Sequence, residues 1–277
     1  MSCTVKKDSY SISADRRSLI SKRYKSITQA INQQFWNSDS ETAHSRYVGS
    51  YGRGTAIDES DLDVLVELPD EEFDHFSSLT SNGPSRLLQA VKDAIINKYP
   101  NTDIKGDGQV VVVIFSDGMR FEILPAFKMT DFWGNWDGRY KYPNSHMGGN
   151  WLSTNPLSEQ EAMAVKNASN QSNGLLYDTC KHIRYVKKAY FSSYHLSGIL
   201  IDSFIYKAIG SWRWLNDDEQ GSGKEPGEYE RSLYDYYLNQ YPYPSLISPA
   251  VYAPGSGDKV AVDDWEILGK VLKKIAE

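Results

Sequence analysis

Two aspartates, Asp61 and Asp63, stand two residues apart in an otherwise apolar run that includes Leu62, Val64 and Val66. Alternate residues of a β-strand point to the same face. The spacing therefore predicts a strand that carries both carboxylates on one face, separated by about 7 Å of backbone advance. Carboxylate oxygens are the hard ligands that Mg²⁺ and Mn²⁺ prefer. The pair predicts a site for one of these divalent ions.

A glycine-rich turn precedes the two aspartates and contains Gly49, Ser50, Gly52 and Gly54. Glycine allows the tight backbone path of such a turn. Its backbone N–H groups, with the hydroxyl of Ser50, can bind the oxygens of a phosphate chain. Gly49 and Ser50 are therefore candidate phosphate-binding residues next to a metal site.

Glu122 offers a third carboxylate, because it lies in a second apolar segment between Phe121 and Ile123. In a strand it faces away from both of these neighbours. On a strand adjacent to Asp61 and Asp63 it would complete a triad of acids. Such a triad can fix two metal ions and support phosphoryl transfer.

The elements that must position these acids follow from hydrophobic periodicity. In the first half of the chain they are a helix over Asp15–Asn37, a strand through Leu62–Leu68, a helix around Leu87–Ile95, and a hairpin with strands at Gln109–Phe115 and Met119–Phe127 joined by the turn Ser116–Gly118. The stretch Asp131–Asn155 shows no clear period and predicts an irregular loop between two lobes.

The second half of the chain is predicted to be mainly helical. Its expected elements are a helix beginning near Glu159 with a Ser158–Glu161 capping box, a longer helix through Leu176–Tyr190, a helical stretch over Leu196–Trp214, a solvated loop over Asp217–Glu230, a segment broken by Pro242, Pro244, Pro249 and Pro254, and a last helix capped by Asp263 with Glu266. We therefore expect two domains, residues 1–155 and 156–277, with an active site in the cleft between them.

Charge and composition limit the possible partners. The 277 residues include 30 Lys and Arg against 36 Asp and Glu, a net charge of −6. This excludes a global basic field for holding a nucleic acid duplex, but a small anionic ligand needs only a local cluster of cations.

Cys3 and Cys180 form no disulfide or zinc pattern. No signal peptide or membrane span is expected, so the predicted location is the cytoplasm.

A cluster of cations is predicted on the helix that ends near Tyr190. Arg184, Lys187 and Lys188 are spaced i, i+3 and i+4, and Lys181 lies one turn earlier. Residues at this spacing share a helix face. The face is therefore a candidate site for a triphosphate, with the solvated surface of a helix as the alternative.

Three segments together resemble the DNA polymerase β-like nucleotidyltransferases, and within them the cyclic GMP-AMP synthase and DncV-like group, the bacterial CD-NTases of anti-phage signalling. They are Gly49-Ser50 with Ser60-Asp61-Leu62-Asp63-Val64, Phe121-Glu122-Ile123-Leu124-Pro125-Ala126-Phe127, and Phe191-Ser192-Ser193-Tyr194-His195-Leu196. The resemblance implies an α+β fold, in which a polymerase β-like nucleotidyltransferase lobe with a mixed β-sheet is joined to a mainly helical second lobe.

The resemblance also implies roles for residues of both lobes. Asp61, Asp63 and Glu122 would be the catalytic acids that hold Mg²⁺ or Mn²⁺. The nucleotide-binding set would be Gly49, Ser50, Arg184, Lys187, Ser193 and Tyr194. In this group the lysine and the serine touch the donor triphosphate, which points to Lys187 and Ser193, and the aromatic side chain, here Tyr194, stacks on a base.

The expected function is metal-dependent joining of nucleoside triphosphates into a cyclic di- or trinucleotide second messenger, in anti-phage (CBASS) defence and with a possible regulatory partner protein. Two alternatives stay open: an enzyme that makes linear oligonucleotides or modifies another acceptor, and a catalytically silent nucleotide-binding regulator. The sequence departs from many members of the group in having Glu122 where they have Asp. It also has no His/Cys zinc insertion, so activation by a DNA or RNA duplex is not implied.

Overall fold

The computed structural model of this protein describes residues 4–216, 227–240 and 249–277. Most of the loop expected over Asp217–Glu230 lies outside these ranges, as do Cys3, Pro242 and Pro244. The chain forms two compact units. We call residues 13–52 and 59–157 the sheet unit. The described parts of residues 1–12, 53–58 and 158–277 form the helical unit.

The sheet unit begins with helix α1, Ala14–Phe35, which confirms the helix predicted there. Ser13 caps it, since its side chain accepts a hydrogen bond from the backbone N–H of Arg16. The later elements of this unit are β1 (Ser45–Tyr47), α2 (Gly49–Gly52), β2 (Leu62–Glu67), α3 (Asp70–Ser77), α4 (Gly83–Lys98), β3 (Asp103–Asp107), β4 (Val110–Ile114), β5 (Arg120–Thr130), β6 (Trp136–Asn144), a 3₁₀ turn (His146–Gly148) and β7 (Asn150–Thr154).

One mixed sheet of seven strands organises the sheet unit. Its order is β1-β2-β5-β4-β3, with β6 paired to β5 and β7 paired to β6. The pairing of β2 with β5 is parallel, and the other pairings are antiparallel. The parallel pair places the predicted aspartate strand directly beside the predicted glutamate strand.

Burial of apolar side chains holds these central strands in place. Val112, Phe121 and Ile123 are fully buried, and so is Leu65 of β2. Such burial contributes about 1.5–3 kcal/mol for each large apolar side chain. The hairpin predicted from the β-branched run and the Asp117-Gly118 turn is confirmed by β4 and β5.

The prediction of an irregular loop over Asp131–Asn155 is wrong, because β6 and β7 occupy most of it. Gly138 and Pro143 interrupt the period-two pattern of β6, and the strand forms through pairing with β5 instead. The turn into β6 is ordered by Asp131, whose Oδ1 accepts the backbone N–H of Trp133 at 2.8 Å and of Asn135 at 2.9 Å. Pairing between strands, rather than local periodicity, decides the structure here.

The helical unit packs its helices around an apolar core. Its elements are α5 (Pro156–Asn167), α6 (Leu175–Tyr190), α7 (Gly198–Ala208), α8 (Glu228–Asn239), β8 (Val251–Tyr252), β9 (Lys259–Val260) and α9 (Trp265–Ala276). Fully buried core residues include Leu176, Ile183, Leu200, Leu233 and Leu272. Among the described helices of both units, none is long and apolar enough to cross a membrane.

Three helix boundaries in this unit differ from the prediction. The helix expected from Glu159 begins earlier, at Pro156, so Ser158 lies inside it and does not cap it. The helical stretch expected over Leu196–Trp214 is helical only at Gly198–Ala208. The last helix is confirmed, but Asp264 rather than Asp263 occupies its N-cap position.

Candidate active site

Asp61 and Asp63 lie at the beginning of β2 on the same face of the strand. Asp61 immediately precedes the strand, and 53% of its side chain is exposed. Asp63 is half-buried inside the strand, and its backbone carbonyl accepts the N–H of Val48 at 2.9 Å. The alternation that predicted a common face for the two carboxylates is present in the strand.

Glu122 lies beside Asp63 on the neighbouring strand. The parallel register of β2 and β5 pairs Asp63 with Glu122 and Leu62 with Phe121. Adjacent strands are about 4.8 Å apart, and both partners lie on the face opposite to the buried Phe121. The structure therefore brings the three acids predicted to be catalytic to one end of two parallel strands.

Arg120 is a functional candidate that the sequence reasoning missed. Its guanidinium makes an ion pair with Glu122 Oε1, at 2.5 Å from Nη2 and 3.0 Å from Nε, and Nε lies 3.6 Å from Asp61 Oδ2. In the sequence, Arg120 stands two residues before Glu122, and this spacing in a strand predicts that both side chains lie on one face. The guanidinium of Arg120 thus lies within the cluster formed by the three acids.

The electrostatics of Asp61 reflect these neighbours. Partial burial raises the pKa of Asp61 above its ordinary value, and the negative charge of Glu122 raises it further, while Arg120 lowers it in part. Crowded carboxylates favour a proton or a cation between them. The cluster therefore favours binding of positive charge.

Gly49 lies against the carboxylate of Asp63. Its φ of +57° is in the left-handed region that favours glycine, and a Cβ at this position would overlap Asp63 Oδ2. The short helix α2 that it begins is held by the N–H of Gly52, which donates to the carbonyl of Val48 at 2.9 Å. The ring of Tyr51 also packs on Tyr47, with centroids 4.6 Å apart. The N–H of Gly52 is thus used within the protein, and Gly49 lies next to the carboxylate of Asp63.

The fit of these residues to Mg²⁺ or Mn²⁺ rests on donor type and position. Three carboxylates at the ends of two paired strands supply hard oxygen ligands. As their side chains stand, no three His, Cys, Asp or Glu residues in the described ranges converge closely enough to hold a metal ion. Glu122 instead points its Oε1 at Arg120. The residues fit the ion by donor type, and their side chains would have to turn toward it to bind it.

The helical unit contains the other predicted site residues. Lys187 is partly exposed near the end of α6. Ser193 and Tyr194 are exposed in the turn that follows, and the N–H of Tyr194 donates to the carbonyl of Phe191 at 3.1 Å. These three residues are grouped within one helix end and its following turn.

Asp264 fixes the end of that turn. Its Oδ2 lies 2.8 Å from His195 Nδ1 and accepts the backbone N–H of Ser197 at 3.0 Å. Tyr194 stays 48% exposed, and Lys270 Nζ lies 5.4 Å from the centroid of its ring. An exposed aromatic ring on an anchored turn is suited to stacking on a planar group.

Arg184 differs from the expectation, because it does not belong to the exposed cationic face. It is buried, and its guanidinium donates to Asp202 at 2.7 Å and 3.0 Å and to the carbonyl of Gly198 at 3.0 Å. Arg53 donates to the same aspartate at 2.8 Å and to Glu159 at 2.9 Å. Burial alone would raise the pKa of Asp202, but the two guanidinium groups outweigh it and lower the pKa to about 2. Arg184 thus neutralises a buried carboxylate.

Residues 4–167 match the family model of the Second Messenger Oligonucleotide or Dinucleotide Synthetase domain. The match spans more than half of the chain. The protein belongs to this family. It is accordingly a nucleotidyltransferase of the CD-NTase group, with an α+β polymerase β-like fold, as the sequence resemblance predicted.

Solved structures similar to this synthetase support the fold. The Elizabethkingia meningoseptica CdnE cyclic dinucleotide synthase, solved with GTP and Apcpp, has 14% identity and a TM-score of 0.62 over 91% of this chain and 89% of its own. The STING-associated CdnE c-di-GMP synthase from Capnocytophaga granulosa has 15% identity and a TM-score of 0.64, over 94% and 78%.

A third similar structure is the E. coli MS115-1 CdnC:HORMA-deltaN complex, with 14% identity and a TM-score of 0.60 over 96% of this chain and 82% of its own. No curated protein sequence matches the synthetase. At these identities the structural likeness is evidence of a shared fold, so substrate and product have to be argued from the site.

Proposed function

We propose that this synthetase joins nucleoside triphosphates into a cyclic di- or trinucleotide in a reaction that depends on Mg²⁺ or Mn²⁺. The observation that carries the proposal is the register pairing of Asp63 with Glu122, with Gly49 packed against Asp63 and Asp61 at the same strand end. This arrangement combines metal-binding acids with a glycine-serine turn suited to phosphate. The family description and the nucleotide-bound relatives point to the same chemistry.

Each residue of the cluster has a role in the proposed reaction. When bound, the metal ions neutralise the triphosphate and activate the attacking hydroxyl. Asp61, Asp63 and Glu122 would hold those ions, and Ser50 would donate to phosphate oxygens. Glu122 would take the proton of the attacking ribose hydroxyl. The hydroxyl oxygen then bonds to the α-phosphorus as the bond to pyrophosphate breaks. A second such step closes a dinucleotide ring, and a third closes a trinucleotide ring.

Residues of the helical unit would bind the nucleotide. We assign Lys187 and Ser193 to the triphosphate and Tyr194 to a base, because a cation, a hydroxyl and an exposed ring occur together at one anchored turn. Arg184 is left out of this set, since Asp202 occupies its guanidinium. The nucleotide-binding role thus falls on the residues of this turn and on Lys187.

The biological setting is proposed on the resemblance to CD-NTases. We infer that the protein is a cytoplasmic enzyme of anti-phage (CBASS) defence. We also infer that its two functional domains are residues 1–155 and 156–277. One similar structure is a CdnC:HORMA-deltaN complex, which supports a regulatory protein partner for this synthetase too. Neither a DNA nor an RNA duplex is part of the proposal, since the net charge is −6.

The test incubates the purified protein with the four labelled nucleoside triphosphates and Mg²⁺ or Mn²⁺, followed by phosphatase and mass spectrometry. A phosphatase-resistant species with the mass of a cyclic di- or trinucleotide is expected. A linear or phosphatase-sensitive product would favour an enzyme that makes linear oligonucleotides or modifies another acceptor. Nucleotide binding without release of pyrophosphate under either metal would favour a silent regulator.

A further inference from the structure

Arg120 is bound to two of the three carboxylates of the cluster. Its Nε and Nη2 both donate to Glu122 Oε1, and Nε lies 3.6 Å from Asp61 Oδ2. Because an arginine remains protonated in proteins, this positive charge is permanent. One fixed cation is therefore shared by acids on two different strands.

The strands themselves determine this position. Leu62 of β2 pairs with Phe121 of β5, so the residues before them, Asp61 and Arg120, are neighbours in the same parallel register. Both Leu62 and Phe121 are buried, which anchors the two backbones at this point. Glu122 follows Arg120 by two residues and shares its face. The register of the two strands thus places Arg120 next to both acids.

A guanidinium and a divalent ion would compete for the carboxylate of Glu122. Two N–H groups of Arg120 donate to Oε1, so the lone pairs of this oxygen are engaged as long as the ion pair is made. Two positive charges at one carboxylate also repel each other, since the interaction energy of two charges about 4 Å apart is several kcal/mol even at an effective dielectric constant of about 20. About 30% of the Arg120 side chain is exposed, so water can replace the ion pair when the guanidinium moves away.

We propose that Arg120 is a positioning residue that competes with divalent metal ions for Glu122 and Asp61 and thereby sets the metal affinity of the site. In the absence of the ion it keeps mutually repelling carboxylates together. Binding of the ion then exchanges the ion pairs of Arg120 for metal–oxygen contacts. The inference rests on the proposed function, because it takes Asp61, Asp63 and Glu122 as the metal ligands.

The experiment measures Mn²⁺ binding to the full chain without nucleotide, from the electron paramagnetic resonance signal of the free ion. The Arg120→Gln variant is expected to bind Mn²⁺ about fivefold more tightly than the unaltered protein, as expected for removal of a partly exposed competing charge. Arg120→Lys keeps the charge but lacks the planar guanidinium with its paired N–H donors. Its affinity for Mn²⁺ should therefore lie between those of the unaltered protein and Arg120→Gln. The matched control is Arg86→Gln, which removes an exposed arginine of α4 and should change nothing.

Thermal unfolding gives a second readout that does not depend on catalysis. Without divalent ions, Arg120→Gln should unfold at a lower temperature, because the acids lose their counter-ion. Saturating Mn²⁺ should raise its midpoint by more than it raises that of the unaltered protein, since tighter binding to the folded state stabilises it further. Arg86→Gln should follow the unaltered protein in both conditions.

The outcomes separate this inference from the function on which it rests. Measurable Mn²⁺ binding that Asp63→Asn weakens, but that Arg120→Gln leaves unchanged or also weakens, overturns the competition and leaves the metal site standing. If neither the unaltered protein nor Arg120→Gln binds Mn²⁺, the metal ligands of the proposed function are wrong, and the role of Arg120 fails with them.

Discussion

Asp63 and Glu122 are register partners on the parallel strands β2 and β5, although 58 residues of sequence separate them. A parallel pair requires a crossover connection, and here the chain passes through α3, α4, β3 and β4 before it returns beside β2. Two acids on neighbouring strands repel each other. A cation bound between them would offset that repulsion.

Removal of one charge from this pair should abolish turnover without unfolding the protein. Asp63→Asn and Glu122→Gln are each expected to reduce cyclic nucleotide synthesis at least a hundredfold, because an amide is a poor replacement for an ionised metal ligand. Product is measured by mass spectrometry, and folding by circular dichroism. The control is Asp93→Asn on the exposed side of α4. Full activity of either site variant would refute the assignment.

Gly49 permits a sharper comparison, because two glycines with left-handed φ differ in their surroundings. A Cβ on Gly49 would overlap the Asp63 carboxylate, whereas a Cβ on Gly118 meets nothing within 4 Å. Both Gly→Ala variants should lose about 1–2 kcal/mol of stability from the backbone conformation. Only Gly49→Ala should also lose activity, through displacement of Asp63. Equal activity in the two variants, at matched stability, would contradict this role of Gly49.

The sequence predicted the acids and the strands that carry them, since strong local periodicity marked both strands. It did not predict β6 and β7, because their pairing with β5 depends on residues far along the chain. Local spacing also placed Arg184 on an exposed face, whereas it is buried and its partner Asp202 lies on another helix. Helical spacing shows which side chains share a face, but it does not show what packs over that face.

Of the two contacts of Arg120, only the one with Glu122 could be predicted from the sequence. Its spacing from Glu122 was visible in the sequence, and its ion pair follows directly from that spacing. The contact with Asp61, however, depends on the parallel register of two strands that are distant in sequence. The pattern of acids in the sequence therefore predicted the candidate ligands, but it did not predict the guanidinium that lies between two of them.

Tyr194 is expected to contribute to nucleotide binding through its ring. Tyr194→Ala should raise KM for the nucleoside triphosphate about tenfold with a smaller effect on kcat, because loss of base stacking is worth about 1–3 kcal/mol. Tyr194→Phe keeps the ring and should retain near-normal KM. Tyr252→Ala, which removes another exposed tyrosine of the same unit, serves as the control. If Tyr194→Phe were as impaired as Tyr194→Ala, the hydroxyl and not the ring would be the binding group.

Asp202 should make the stability of the protein depend on acid pH. Its pKa is lowered to about 2 in the folded state, against an ordinary value of about 3.9. A lowered carboxyl pKa stabilises the folded state above the unfolded pKa, and that contribution is lost as pH falls through about 4 to 2. The shift corresponds to about 2–3 kcal/mol in the free energy of unfolding. Denaturant unfolding at pH 7, 4 and 2.5 measures this loss.

The variant Asp202→Asn tests the same carboxylate at constant pH. It leaves the guanidinium groups of Arg53 and Arg184 buried without their shared counter-ion. Breaking a buried ion pair from one side costs about 3–5 kcal/mol, so the variant should unfold at markedly lower denaturant concentration at pH 7. It should also lose less stability than the unaltered protein between pH 5 and pH 2.5, because the titrating group is gone. The exposed substitution Asp263→Asn is the control. An unchanged free energy of unfolding in Asp202→Asn would mean that the two arginines do not depend on this carboxylate.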